Sequence, residues 1–268
     1  GTPVDTAMRS IAASATKLLG QQMVVENRAG ANGRLGVNAV RSGSPDGHTL
    51  ALVFDTLLVA QPILDPAFRI EPGKDYAPVI LLVDFPLLLV TNPSTPFRDV
   101  NALIAYAKAN PNKLNIAGTA GASSYFMAER FRQLAGISMT VVPYKGSTQS
   151  ILDVVSGRVE LLFAPSTADS FIASGKLVSI ASTGKRRWSA FPNVPTLLEG
   201  NFNLASSAWY GLIAHAGTPA EAVNRINSVI NTVIRQADIS KQLDSMGMNT
   251  PSLTSPVDFG AFVQAEVR

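Results

Sequence analysis

The sequence predicts an α/β protein built as two lobes, and three observations carry that prediction. Apolar runs of strand length alternate with amphipathic helical patterns over the first two thirds of the chain. A turn-rich stretch, Asn92-Pro93-Ser94-Thr95-Pro96, reads as a linker that opens a second strand–helix series. A helical group then closes the chain. A polypeptide that passes from one lobe to the other and back leaves a cleft between them, and such clefts are preferred ligand sites. The expected division is 1–92 plus 210–268 for the first lobe and 93–209 for the second.

Each element has a local reason. Met8, Ile11, Ala12, Ala15, Leu18 and Leu19 recur at helical spacing, and Gly20 ends the run. Met23-Val24-Val25 reads as a short strand. Gly30-Ala31-Asn32-Gly33 is a turn requiring positive φ, followed by a helix near 35–42. His48–Phe54 reads as a buried strand after the turn Pro45-Asp46-Gly47, and Ile80–Val90 is strongly apolar. The alternation indicates a largely parallel sheet. In the second series, helices are expected over 100–108, 125–134 and 148–156, and strands over 114–117, 140–142 and 159–163. Thr218-Pro219-Ala220-Glu221 is a capping-box pattern with proline at the first helical position. Val223, Ile226, Val229, Ile230, Val233 and Ile234 line one face behind it. Ser255-Pro256-Val257-Asp258 is a start signal of the same kind.

The composition excludes several classes of function. The chain has 268 residues, 46% of them apolar and 15% charged, which suffices for one large domain or two smaller ones. It has no cysteine, so disulfides, thiolate nucleophiles and cysteine-based metal sites are ruled out. Its net charge of +3 is scattered. Lys185-Arg186-Arg187 is the tightest basic run and reads as a solvated turn, so nucleic acid is not an expected partner. His48 and His215 are the two histidines, and neither has a second metal ligand at helical spacing. No Gly-x-Ser-x-Gly elbow or phosphate-binding loop motif is present. No catalytic residue, metal or cofactor is expected.

The informative segment is Ala117-Gly118-Thr119-Ala120-Gly121-Ala122-Ser123-Ser124, between a strand and a helix. Small residues let a ligand approach the backbone. First-turn N–H groups and the helix dipole supply about half a positive charge. Thr119, Ser123 and Ser124 add hydroxyls. This is either an anion site made without charged side chains or a serine N-cap after a flexible turn. A second helix start lies at the N-terminus, where Asp5 can cap and Thr2-Pro3-Val4 precedes it.

Six segments in order give the chain a family resemblance over nearly its whole length. They are 24–33 (Val-Val-Glu-Asn-Arg-Ala-Gly-Ala-Asn-Gly), 45–50 (Pro-Asp-Gly-His-Thr-Leu), 75–79 (Asp-Tyr-Ala-Pro-Val), 142–146 (Val-Pro-Tyr-Lys-Gly), 191–196 (Phe-Pro-Asn-Val-Pro-Thr) and 214–219 (Ala-His-Ala-Gly-Thr-Pro). The sequence resembles the Bug-type, TctC-like receptors of tripartite tricarboxylate transporters. The resemblance implies the type II periplasmic-binding fold, two α/β lobes around a ligand cleft. It also implies a periplasmic, non-catalytic solute-binding protein that delivers a small carboxylate to membrane permease subunits; a monomer is expected. By the same resemblance, two loops hold the carboxylate. One ends in Thr2, Pro3 and Asp5. The other contains Thr119, Ala120, Gly121, Ser123 and Ser124, and Pro165, Ser166, Phe54 and Trp209 complete the expected binding set.

Two departures qualify the resemblance. The family's first strand and most of its first loop have no counterpart here, so the natural chain is expected to extend upstream. Where relatives often carry Phe-Asp, this chain has Phe163-Ala164, with one residue fewer before Gly175-Lys176. Losing that carboxylate favours a dicarboxylate, or an aromatic carboxylate stacked on Phe54, Tyr125 or Trp209, over an amino acid. The alternative from another class is an enzyme on a two-lobed scaffold acting on a small carboxylate. A ligand-sensing domain of a regulator would bring a DNA-binding segment, and none is readable.

Overall fold

The structure, a computed structural model, describes residues 3–28, 30–65, 68, 70–252 and 255–266. In chain order the elements are α1 (Pro3–Leu19), α2 (Arg34–Arg41), β1 (Leu50–Phe54), a π-helical turn (Thr56–Ala60) continued by α3 (Gln61–Leu64), β2 (Tyr76–Pro86), β3 (Leu88–Thr91), α4 (Val100–Ala109), β4 (Asn115–Thr119), α5 (Ser123–Ala135), β5 (Thr140–Tyr144), α6 (Ser147–Val155), β6 (Leu161–Ala164), α7 (Asp169–Ala173), β7 (Val178–Ser182), β8 (Ser207–His215), α8 (Ala220–Val233), α9 (Ala237–Ser245) and α10 (Pro256–Glu266).

The chain forms two compact units, Gly1–Asp84 with Trp209–Arg268, and Phe85–Ala208. The first crossing precedes the proline-rich linker. Strand β3 pairs with β6 and β7, so residues 85–92 go with the second unit instead of the first.

In the first unit the strand order is β1-β8-β2, with β1 antiparallel to β8 and Phe54 opposite Tyr210. Its core gathers Val53, Leu57, Tyr76, Trp209, Ile213 and Phe259. Gly211 is glycine for a packing reason: a Cβ there would overlap the Phe259 ring, so α10 could not lie on the strand. Helix α1 buries Met8, Ile11, Ala12 and Ala15 as its periodicity predicts, whereas Leu18 is exposed. All six apolar positions of the α8 stripe are buried. The expected strand at Met23-Val24-Val25 is absent: residues 22–28 run without a ladder partner among the described residues.

In the second unit five strands are ordered β5-β4-β6-β3-β7. Strand β4 is parallel to β5 and β6, while β3 is antiparallel to β6 and β7. The sheets are therefore less parallel than the alternation predicts. Strand β3 follows β2 with no crossover helix, so no βαβ unit sets its direction. The core contains Leu89, Phe97, Leu103, Ile116, Phe131 and Phe163 on one side of the sheet and Leu88, Val90, Val154, Leu162 and Trp188 on the other.

The two late helix starts differ. At α10 the capping box forms: Ser255 Oγ accepts from the Asp258 N–H (3.1 Å), and the Asp258 carboxylate accepts from the Ser255 N–H (3.0 Å). At α8 it does not. Pro219 occupies the N-cap without a capping side chain, and the Thr218 hydroxyl is buried with no partner among the described residues.

Candidate functional site

Strands β4, β5 and β6 are parallel neighbours, so their carboxyl ends lie at one end of the second unit's sheet. The helix after each begins there: α5 at Ser123, α6 at Ser147 and α7 at Asp169. None of these starts has a side-chain cap. The N-cap residues are Ala122, Gly146 and Ala168. Crevices outside the carboxyl ends of parallel strands are the general ligand location in α/β sheets.

The 119–124 loop is built tightly. Gly118 lets α5 sit directly on β4, since a Cβ there would come within 2.7 Å of the Tyr125 Cα. Gly121 takes φ +76°, a conformation glycine adopts at little cost. The alternative of a serine N-cap does not hold. Ser124 is one residue inside α5 and 6% exposed, and its Oγ accepts from the Thr119 N–H at 3.0 Å. The Ala120 N–H is taken by the Tyr144 carbonyl (2.8 Å) and the Ala122 N–H by the Thr119 carbonyl (3.0 Å). Ala120 therefore frames the loop and is no longer a backbone donor to a ligand. The N–H groups of Gly121 and Ser124 have no acceptor among the described residues. These two donors, the partial positive end of a 13-residue helix and the half-exposed Thr119 and Ser123 are suited to an anion.

The 164–169 loop stands at the same end of the sheet. Pro165 and Ser166 are half-buried, after the end of β6, which neighbours β4. Asp169, which the sequence reading did not select, begins α7. One of its carboxylate oxygens is buried without a partner among the described residues, and burial pushes its pKa up to about 6. Its signal in the sequence was weak, a lone acidic residue among small ones.

Of the remaining expected residues, Pro3, Asp5, Phe54 and Trp209 belong to the first unit. Thr2 lies outside the described residues. Helix α1 already begins at Pro3, so Asp5 is within the first turn and is not its cap. The Asp5 carboxylate accepts from Arg9 (3.2 Å) and from Asn27 (2.9 Å), and those bonds hold its pKa below the ordinary value. Phe54, at the end of β1, packs against Gly33 and is half-buried. Trp209 is fully buried, with Phe259 and Phe262 edge-on to its ring at 5.6 Å each, so it is core of the first unit and presents no face to a ligand.

Among the described residues, no group of three or more histidine and carboxylate side chains could hold a metal ion. No described helix is long and apolar enough to cross a membrane.

Comparison with known proteins identifies the family. The family model for the tripartite tricarboxylate transporter family receptor matches residues 7–268. Protein BugT of Bordetella pertussis is 31% identical over 273 residues, covering 100% of this chain and 83% of that protein. Among solved structures, MatC from Rhodopseudomonas palustris with bound malate superposes with a TM-score of 0.82 at 30% identity, covering 100% of this chain and 92% of the other. An R. palustris protein with adipate reaches a TM-score of 0.84 at 28% identity, covering 98% and 89%. The chain belongs to the tripartite tricarboxylate transporter receptor family, as a Bug-type solute-binding protein and not an enzyme.

Proposed function

We propose that the protein captures a small carboxylate, most suitably a dicarboxylate, in the periplasm and passes it to membrane permease subunits of a tripartite transporter. The observation that carries this reading is the uncapped start of α5, where the Gly121 and Ser124 N–H groups have no protein acceptor among the described residues. A carboxylate oxygen can accept both. Charge-assisted hydrogen bonds contribute roughly 1.5–3 kcal/mol each, so a few such bonds approach the roughly −8 kcal/mol of micromolar affinity. A dicarboxylate is preferred over an aromatic acid because Trp209, one of the three stacking candidates, is buried in the core. Malate and adipate, present in two structural neighbours, are the natural first probes.

A thermal-shift screen with mono-, di- and tricarboxylates, amino acids and aromatic acids tests the reading. A true ligand at 100 times its Kd adds about 2.7 kcal/mol of stability and raises Tm accordingly. If no carboxylate raises Tm while an amino acid or neutral solute does, the carboxylate reading is wrong. Uptake of the identified ligand that survives deletion of this protein would remove the transport role.

A further inference from the structure

The second unit carries six carboxylates, and five of them have partners within the protein. Asp99 caps α4 by accepting from the Ala102 N–H (2.8 Å). Glu129 pairs with Arg132 (2.8 Å) and Glu199 with Arg187 (2.6 Å). Asp153 accepts from the Tyr144 hydroxyl (2.9 Å) and pairs with Arg158 (3.1 Å). Glu160 accepts from the Asn115 N–H (2.7 Å). Asp169 is the sixth. It has no hydrogen-bond or ion-pair partner among the described residues, although one of its oxygens is buried. Burying a carboxylate without a donor costs free energy, and such groups concentrate at functional sites.

The sheet places Asp169 beside the α5 loop. Ala117 pairs with Leu162 in parallel register, so two residues on Thr119 ends β4 level with Ala164 at the end of β6. Neighbouring strands lie about 4.8 Å apart. The loops that leave them, 119–124 and 164–169, therefore start side by side. Ser123 opens the helix after the first loop and Asp169 the helix after the second. The first loop offers donors, the N–H groups of Gly121 and Ser124. The second offers an acceptor. A ligand that satisfies both carries a carboxylate and also a hydrogen-bond donor.

We propose that Asp169 is a specificity-determining residue that accepts a hydrogen bond from a hydroxyl or ammonium group of the bound acid. The proposal rests on the dicarboxylate reading above and narrows it to hydroxy- or amino-substituted dicarboxylates. An unsubstituted diacid brings only acceptors and like charge to Asp169, which leaves that carboxylate without a donor and repelled. A site built to hydrogen-bond a hydroxyl or N–H group discriminates strongly against the analogue that lacks it, because its own polar group is then left unpaired.

Isothermal titration with two matched series tests this: succinate, malate and aspartate, then adipate, 2-hydroxyadipate and 2-aminoadipate. In at least one series a substituted acid is expected to bind about tenfold or more tightly than the unsubstituted one. Asp169→Leu, or Asp169→Ala should the leucine variant not fold, is expected to remove that preference. Asp169→Asn separates the two donors. Its amide oxygen still accepts from a hydroxyl, so preference for a hydroxy acid is kept, whereas preference for an amino acid needs the charge and is lost. Equal affinity across both series overturns the proposal and leaves the dicarboxylate reading standing. So does a preference that survives in Asp169→Leu or Asp169→Ala. If no acid of either series binds, the dicarboxylate reading fails and this proposal fails with it.

Discussion

Ser124 Oγ accepts a hydrogen bond from the Thr119 N–H at 3.0 Å, tying the last residue of β4 to the first turn of α5. The serine that could have capped the helix thus braces the loop behind it. Its own N–H and that of Gly121 remain without acceptors among the described residues. Ser124→Ala should leave the Thr119 N–H unsatisfied beneath the site. We expect carboxylate affinity to fall by about tenfold, one lost hydrogen bond of about 1.4 kcal/mol, with stability lowered by a similar amount. Isothermal titration and urea unfolding measure the two separately.

Gly118→Ala tests how close α5 must sit. The new methyl group would stand 2.7 Å from the Tyr125 Cα, a backbone atom that gives way only if the helix moves. A loss of about 1–3 kcal/mol is expected, together with affinity lost beyond the loss in stability, because the donor end of α5 is displaced. Gly121→Ala probes one of the two donor residues itself. Its Cβ meets nothing within 4 Å, so only the +76° φ is strained, at about 1–2 kcal/mol.

Asp169 gives a pH dependence with a definite sign. Burial raises its folded pKa from 3.8 to about 6. The folded state then binds the proton more tightly than the unfolded state. Its ionisation therefore costs stability as pH rises from about 4 to about 6, and the cost is full above that. Asp169→Asn should be more stable than the parent at pH 7.5, and the advantage should vanish near pH 4. Urea midpoints at the two pH values check it, and an advantage independent of pH would contradict the assignment.

Thr218→Val concerns the capping box that does not form. The Thr218 hydroxyl is buried without a partner among the described residues, so an isosteric methyl removes an unsatisfied group. The variant should be as stable as the parent or up to about 1 kcal/mol more stable. A clear loss of stability would show that the hydroxyl has an acceptor.

Most helices were legible in the sequence, for a local reason. Periodicity located α1, α5 and α8, and Gly30 and Gly33 adopt φ +125° and +87° where a glycine turn was expected. The capping boxes show the limit of that reading. Ser255–Asp258 and Thr218–Glu221 are similar signals, yet Pro219 takes the N-cap of α8 and Thr218 turns inward. Trp209 was equally ambiguous, because an aromatic residue at a strand start serves a core or a ligand with the same local pattern.

The sequence by itself determined the α/β class, the family and the small-residue loop at 117–124, since these depend on spacing and residue type along the chain. Tertiary structure decided which donors in that loop are free. Whether the N–H of Ala120, Gly121 or Ser124 is available depends on the Tyr144 carbonyl of the neighbouring strand and on where the Ser124 hydroxyl turns. It also decided that residues 22–28 have no ladder partner among the described residues. Strand formation needs a second edge about 4.8 Å away, which no local pattern supplies.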